Sequence, residues 1–173
     1  MTPYQRGGYK YITRGGHRYS LQMRLNAHQE RIISQIVDAG FSRGAPEVTI
    51  SIVVATAFQE SSFNEGATNP DSSAIGIFQF LVNPWNERHK HLNRHDTSDQ
   101  IVAMYDEVDW FRARYSAHLA SGALEGTMPF VDYAYASHTA GPFNPRDFAV
   151  NEETRKKLTA FKDKWYTLSL HVE

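Results

Sequence analysis

The chain contains no cysteine, which excludes disulfide bonds, thiolate metal ligands and a cysteine nucleophile. It also has almost no net charge, because 18 basic and 19 acidic residues give −1 at pH 7. A surface built to hold nucleic acid or anionic lipid carries a positive excess, so we expect neither nucleic acid nor membrane as a partner. The 173 residues, 41% of them hydrophobic, suffice for one core, and we expect a monomer without a cofactor.

Long hydrophobic runs are absent as well. The most apolar stretch, residues 50–58, is interrupted by Ser51 and Thr56 and falls short of the roughly 20 apolar residues that a membrane span needs. No apolar segment follows the positive charges near the N-terminus, so the sequence predicts no secretory signal peptide.

The first residues form a distinct basic region. Residues 4–24 carry five basic side chains and no acidic one, and Arg-Gly-Gly occurs twice, at Arg6 and Arg14. Two interpretations stay open, an arm that contacts an anionic polymer and a flexible lead-in. We therefore divide the chain into a basic N-terminal arm, residues 1–20, and one domain, residues 21–173.

Apolar residues at helical spacing predict a mainly α-helical, orthogonally packed domain of at least five helices. At most one small β-hairpin is expected, next to a cleft. The helix over residues 46–60 is apolar nearly throughout, so we place it in the core. The remaining predicted helices cover residues 21–38 with Gly40 as the stop, 76–82 ended by Pro84, 98–120, 127–137 and 152–170.

Two short motifs lie close together in the middle of the chain. The first, Gln59-Glu60-Ser61-Ser62-Phe63, ends the predicted core helix, and the second runs from Ser72 to Leu81 and includes Ala74, Gly76 and Gln79. Together they closely resemble the soluble lytic transglycosylase and goose-type lysozyme group of the lysozyme-like superfamily. A third element of that group is partly matched by residues 137–142. The resemblance implies a lysozyme-like fold and cleavage of the β-1,4 bond between N-acetylmuramic acid and N-acetylglucosamine in peptidoglycan.

Glu60 is the predicted general acid. Breaking a glycosidic bond needs a carboxyl group that still holds its proton. The C-terminal end of a helix carries partial negative charge, and Phe58, Phe63, Ile75 and Phe78 are expected to remove water, so both effects favour the protonated form.

The second carboxyl group is harder to assign. Asp71, between the two motifs, is the candidate base, with Glu65 in reserve and a plain turn role for Asp71 as the alternative. His138 and Thr139 stand where the resembled group usually has Tyr and Asn, and this departure favours a lysozyme-type hydrolase over the alternative, a lytic transglycosylase that forms anhydro products. From another class, a non-catalytic glycan-binding module also fits the scaffold.

The sequence also suggests residues that contact the substrate. Gly76 allows close approach of the backbone to the Glu60 helix or to a sugar, and Gln79 can present its amide to a sugar or to Glu60. Tyr135 and Phe143 are further candidates for stacking against sugar rings. The predicted substrate-binding set is Ser73, Gly76, Gln79, Tyr133, His138 and Thr139.

Three histidines, His89, His91 and His95, lie in one short segment with interleaved Arg and Lys. Cations among the candidate ligands oppose metal binding, so we predict no metal site and interpret the segment as a solvated basic loop that faces an acidic polymer.

A peptidoglycan-cleaving enzyme without a signal peptide needs another route to the periplasm or cell wall. We expect delivery by a secretion machine, by a phage particle or by holin-type release. If the protein is an antibacterial effector, an immunity or inhibitor protein is an expected partner.

Overall fold

The central helix of the fold carries charged residues only near its two ends. In the computed structural model, which describes residues 8–124, 128–141 and 151–173, helix α2 is buried from Thr49 to Ala57. It contacts four other helices. Because no side of the helix faces solvent, apolar residues occur all around it. Within the described residues the elements are β1 (Tyr9–Ile12), β2 (Arg18–Leu21), α1 (Ala27–Ser42), α2 (Glu47–Ser61), α3 (Val82–Arg88), α4 (Thr97–Ser121), α5 (Phe130–Ala140), α6 (Glu152–Leu168) and β3 (His171–Val172).

The mainly helical fold class is confirmed, and so is the core helix that ends near Glu60. Pro46 stands at the N-cap of α2, where its missing N–H costs nothing. The chain leaves the helix through Ser62, which adopts a left-handed conformation with φ 51°. The acid therefore lies in the last turn of a buried helix.

The predicted helix over residues 21–38 is wrong at both ends. Helix α1 begins at Ala27 because Asn26 and Gln29 form a reciprocal capping box, which satisfies two backbone N–H groups at that point. Gly40 lies inside the helix and is not its stop. A Cβ there would be 2.5 Å from the Tyr105 hydroxyl and 2.6 Å from Ile50, so the glycine allows the close approach of α4 and α2.

The described part of the predicted basic arm forms a β-hairpin. Strands β1 and β2 pair antiparallel with Tyr11 opposite Tyr19, and β3 adds to β2 from the other end of the chain. Alternate residues of β2, Tyr19 and Leu21, enter the core because side chains of a strand alternate between faces. This sheet joins the two ends of the chain, whereas the loop after Glu60 contains only isolated bridges, Thr68–Ile75 and Ile75–Phe80.

Pro84 begins a helix, although the sequence analysis expected it to end one. Residues 76–81 form a turn, and α3 starts at Val82, so that Pro84 occupies the first helical turn where an N–H is dispensable. Helix α4 agrees with its prediction, with Asp96 capping its start and Gly122 its end. No helix within the described ranges is long and apolar enough to cross a membrane.

Candidate active site

Glu60 receives a hydrogen bond from a tyrosine of another helix. The Tyr135 hydroxyl on α5 donates to Glu60 Oε1 at 3.0 Å. Tyr135 is 1% exposed, and its ring stacks on Phe161 of α6 with 4.2 Å between ring centroids. The glutamate is half-buried. Its carboxyl is therefore oriented by a donor that packing holds in place.

The Tyr135 hydroxyl is a stable donor. Burial, and next the charge of Glu60, raise the pKa of this phenol well above its ordinary value, although Thr139 and Gln59 act in the opposite direction through hydrogen bonds to it. A phenol with a raised pKa keeps its proton across the physiological range. Tyr135 therefore donates to Glu60 and does not compete with it as an acid.

The turn of the second motif is tied to three helices. Ser61 Oγ of α2 donates to the Ile77 carbonyl at 2.8 Å, and the Ile77 N–H donates to Gln100 Oε1 of α4 at 3.2 Å. On the third side, His138 Nε2 of α5 donates to the Phe78 carbonyl at 2.8 Å. Because Ser61 follows Glu60 directly, the first and second motifs of the sequence lie side by side.

Backbone strain accumulates at the same place. Four described residues other than glycine have positive φ, and three of them, Ser62 at 51°, Phe63 at 65° and Gln79 at 53°, belong to the two motifs. For an aromatic residue such as Phe63 this conformation is a genuine outlier. Strained residues persist where surrounding packing enforces them and cluster at functional sites, so their position here supports the choice of this region.

Gly76 is close to a side chain that the sequence analysis did not consider. Its φ is +80°, and an added Cβ would collide with the amide of Gln100 on α4. The expected neighbours were the Glu60 helix or a sugar. The glycine therefore makes room for the side chain that accepts from Ile77, and its role in substrate binding stays a prediction.

Ser73 and Gln79 both hold the loop together. Gln79 Nε2 donates to the Gly76 carbonyl at 2.9 Å and to the Ala67 carbonyl at 3.2 Å. Ser73 Oγ accepts from the N–H of Val82 at 3.0 Å and so caps α3. Both side chains are half-buried, and a contact with substrate stays a prediction for each.

Tyr133 lies on the other side of α5 from Tyr135. It is 0% exposed, and its hydroxyl pairs with His118 Nδ1 of α4 at 2.9 Å. Neither Tyr133 nor Tyr135 exposes a ring face to a sugar in this structure, so substrate contact by Tyr133 stays a prediction, and Tyr135 enters the candidate site as the donor to Glu60. His138 and Thr139 are half-buried, and His138 contacts the loop backbone as described above. Phe143 lies outside the described residues.

Glu65 is already engaged. It accepts from Arg31 at 2.5 Å and from the Thr97 hydroxyl at 2.8 Å. Burial alone would raise the pKa of Glu65, but these hydrogen bonds outweigh it and lower the pKa overall. A carboxylate held in this way is a poor general base.

Asp71 is exposed and sits in a turn in which its own N–H donates to Asn69 Oδ1 at 3.0 Å. This is the Asx turn that the alternative interpretation named. The turn and a role as base are compatible, because the turn uses the backbone of Asp71 and leaves the carboxyl in solvent.

The histidine segment does not form one solvated loop. His89 is 4% exposed, and its Nε2 pairs with Glu107 Oε1 at 3.0 Å, while His91 and His95 are exposed. Arg88 binds the same oxygen of Glu107 at 2.6 Å. His89 turns inward because a buried carboxylate needs more than one donor. Among the described residues no group of three or more His, Asp or Glu is arranged to hold a metal ion.

Glu107 is ionised in this network. Burial would raise its pKa, but the hydrogen bond from His89 and the electrostatic interactions with His138 and Arg88 outweigh burial and lower the pKa of Glu107 overall. Its second oxygen, Oε2, is buried without a hydrogen-bond partner among the described residues. These hydrogen bonds join α3 and the residue after it to α4, whereas His138, which holds the Phe78 carbonyl, acts on Glu107 only electrostatically.

The middle of the chain matches a known protein family. Residues 41–125 match the family model of the transglycosylase SLT domain. This segment belongs to that family. SLT domains are lysozyme-like, peptidoglycan-cleaving domains, so the resemblance drawn from the two motifs is confirmed. The match contains Glu60 and the whole second motif, whereas Tyr135 and His138 lie beyond it. No curated protein and no solved structure matches the chain significantly.

Sequence reasoning missed the parts that three residues play at the candidate site. Tyr135 was considered for stacking against a sugar and not as the partner of Glu60; Gln100 and Glu107 were not considered at all. A usable signal existed for Tyr135, because it precedes His138 and Thr139 by three and four residues and so shares their helix face. No comparable signal marks Gln100 or Glu107.

Proposed function

We propose that this protein cleaves the β-1,4 bond between N-acetylmuramic acid and N-acetylglucosamine of peptidoglycan, with Glu60 as the general acid. The observation that carries the proposal is the hydrogen bond from Tyr135 to Glu60 at the end of α2, beside the strained turn of the second SLT motif. The cell wall is then the place of action. Delivery by an effector system, a phage particle or holin-type release, and an immunity protein as partner, stay predictions.

The geometry supports a defined role for each oxygen of the acid. Tyr135 donates to Oε1, which leaves Oε2 to carry the proton toward the glycosidic oxygen. As that proton moves, the bond between the anomeric carbon and the oxygen breaks, and positive charge develops on the departing sugar ring. Glu60 is left as a carboxylate, and the group that attacks next loses a proton, to Asp71 in a hydrolase or to Glu60 in a transglycosylase.

The identity of the attacking group decides between two enzymes. In the hydrolase that the sequence favours, water attacks, and Asp71 is the candidate base because its carboxyl is exposed on the loop between the motifs. In the second candidate, a lytic transglycosylase, a hydroxyl of the muramic acid attacks and Glu60 alone suffices. The engagement of Glu65 by Arg31 and Thr97 favours this second candidate, because it removes one of the two possible bases.

Purified peptidoglycan sacculi test the proposal directly. We expect Glu60→Gln to lower the rate of clearing by about two orders of magnitude or more, because an amide cannot donate the proton. Glu87→Gln, an exposed glutamate of α3, is the matched control and should clear at the parent rate. Equal rates for parent and Glu60→Gln would refute the proposal.

Product masses separate the two candidates within the same experiment. Hydrolysis adds one water for each bond cleaved, whereas transglycosylation gives an anhydro sugar without adding water. Asp71→Asn should slow clearing only if water is the attacking group. A protein that sediments with sacculi without clearing them would be the glycan-binding module of the other class.

A further inference from the structure

A surface opening lies along α1. It is a groove of about 810 Å³ between the β1–β2 turn, α1 and the first turns of α4. Ile12 and Arg14 line it from the hairpin, Glu30 from α1 and Val102 from α4. None of Glu60, Tyr135 or the residues of the second motif borders it, so the groove is separate from the candidate active site.

Two ion pairs build the walls of this groove. Asp38 pairs with His17 Nδ1 at 2.8 Å and accepts from the Gly15 N–H at 2.9 Å, which fixes the turn of the second Arg-Gly-Gly sequence on α1. Arg31 pairs with Glu65 at 2.5 Å. Asp38 and Arg31, which line the groove, are therefore already paired with His17 and Glu65 and shape the groove without demanding a ligand.

Two other charges of opposite sign have no such partner. The guanidinium of Arg14 and the carboxyl of Glu30 make no hydrogen bond or ion pair with another described residue. The hydroxyl of Tyr19, which is 2% exposed, is buried without a hydrogen-bond partner, and the charge of Glu30 acts on it. The groove lining therefore presents a cation and an anion without partners, whereas the buried hydroxyl of Tyr19 is not part of the lining.

Apolar surface accompanies these charges. Ile12 is 63% exposed and Val102 is 40% exposed, although both are large aliphatic residues. A nucleic acid does not match this lining, because Glu30 and Asp38 would repel phosphates. A neutral glycan has no charge for Arg14 or Glu30 to meet. A ligand with a carboxylate, an ammonium group and small apolar side chains satisfies all three features.

We propose that the groove binds the peptide stem of peptidoglycan, with Arg14 taking a stem carboxylate and Glu30 the ammonium group of its diamino acid. This inference rests on the proposed function, since it names a second part of the same substrate. The alanine methyl groups of the stem meet Ile12 and Val102. The enzyme then holds its polymer at two places, the glycan at Glu60 and the peptide at the groove.

Calorimetric titration with the free tripeptide L-Ala–γ-D-Glu–meso-diaminopimelate tests the groove without catalysis. We expect binding by the parent and by Glu60→Gln, and at least a tenfold weaker affinity for Arg14→Gln. Arg18→Gln, on the neighbouring strand, removes the same charge from an exposed site and should bind as the parent does. Circular dichroism of each variant checks that it is folded.

A modified ligand tests the second contact. N-acetylation of the diaminopimelate removes the ammonium charge and should weaken binding to the parent about as much as Glu30→Gln weakens binding of the free tripeptide. The two changes together should cost no more than either alone, because both remove one interaction.

Several outcomes overturn the inference. They are absence of binding by the parent, equal affinities for Arg14→Gln and Arg18→Gln, and a dimer in sedimentation that Arg14→Gln dissociates, which would make the groove a contact between two copies. A parent that clears sacculi without binding the tripeptide refutes the groove alone. A parent that binds the tripeptide without clearing sacculi refutes the proposed function and leaves the groove standing.

Discussion

Glu60 at the end of α2 and Glu107 in the middle of α4 differ in what their carboxyl groups contact. Glu60 is half-buried, and its described hydrogen bond comes from a neutral hydroxyl, that of Tyr135. Glu107 is 3% exposed, and Arg88 and His89 both donate to one of its oxygens. Cations stabilise a carboxylate and so oppose protonation. A carboxyl group that is to deliver a proton needs surroundings without cations, as at Glu60. A carboxyl group that only holds helices together can be paired with a cation, as at Glu107.

The largest effect that separates the two glutamates is on stability. Glu107→Gln should lower the free energy of unfolding by about 3 kcal/mol, because it leaves Arg88 and His89 without their buried carboxylate. Glu60→Gln should change it by less than about 1 kcal/mol, since the amide oxygen can still accept from Tyr135. Urea unfolding of both variants measures the difference, and similar losses would show that the two sites are not distinct.

The next largest effect is the loss of stability when the turn at Gly76, which Gln100 of α4 contacts, is altered. Gly76→Ala should cost about 2 kcal/mol or more, because the new Cβ adds a collision with Gln100 to the strain of φ +80°. Gly44→Ala is the matched control, since Gly44 has φ +67° with nothing within 4 Å, and should cost about 1 kcal/mol. Adding Gln100→Ala to Gly76→Ala should restore part of the lost free energy of unfolding. If it does not, the collision with Gln100 is not the cause of the loss.

A smaller effect is expected on the acid itself. Tyr135→Phe removes the donor to Glu60 and keeps the ring that stacks on Phe161, so kcat should fall about tenfold with little change in KM. The fall reflects a less well oriented acid. Steady-state kinetics on soluble glycan fragments gives both constants, and a change confined to KM would assign Tyr135 to substrate binding.

The smallest effect is the pH dependence of stability. Because the folded protein lowers the pKa of Glu107 below its ordinary value of 4.5, the folded state binds fewer protons than the unfolded state. The stabilisation is therefore complete above that value and is lost as the pH falls through the folded pKa. Unfolding free energies measured between pH 7 and pH 3 should decline less steeply for Glu107→Gln than for the parent. Parallel curves would contradict the assignment.

Much of the fold could be predicted from local sequence patterns. The apolar run of α2, the cap of α4 and the spacing of α6 each depend on neighbours within a few residues, and all three predictions agree with the structure. The predictions were wrong at residues whose type and spacing fit two different secondary structures. Leu21 fits a helix by spacing but lies in β2, where it pairs with Tyr9 of β1, and β2 also pairs with β3 from the far end of the chain. Pro84 can end a helix or begin one, and packing of Trp85 in the core selects the second.

The candidate site also contains residues that the sequence indicated and residues that it did not. Glu60, Gly76 and Gln79 were visible as members of two motifs, since each motif occupies a short stretch of chain. The partners of these residues were not visible, because Gln100 and Tyr135 approach them only through the crossing of helices. Tyr133 and Tyr135 are indistinguishable by residue type, and only the rotation of α5 about its axis decides which one faces α2.

The amino-acid order alone determined that a buried helix would end in a glutamate and that a glycine-containing turn of the SLT type would follow. Both are consequences of residues near each other in the chain, where spacing and backbone preference act directly. The tertiary structure alone decided that Tyr135, 75 residues away, orients that glutamate, and that Glu107 receives the cations instead. Such pairings arise from the packing of whole helices against one another, which local sequence patterns do not encode.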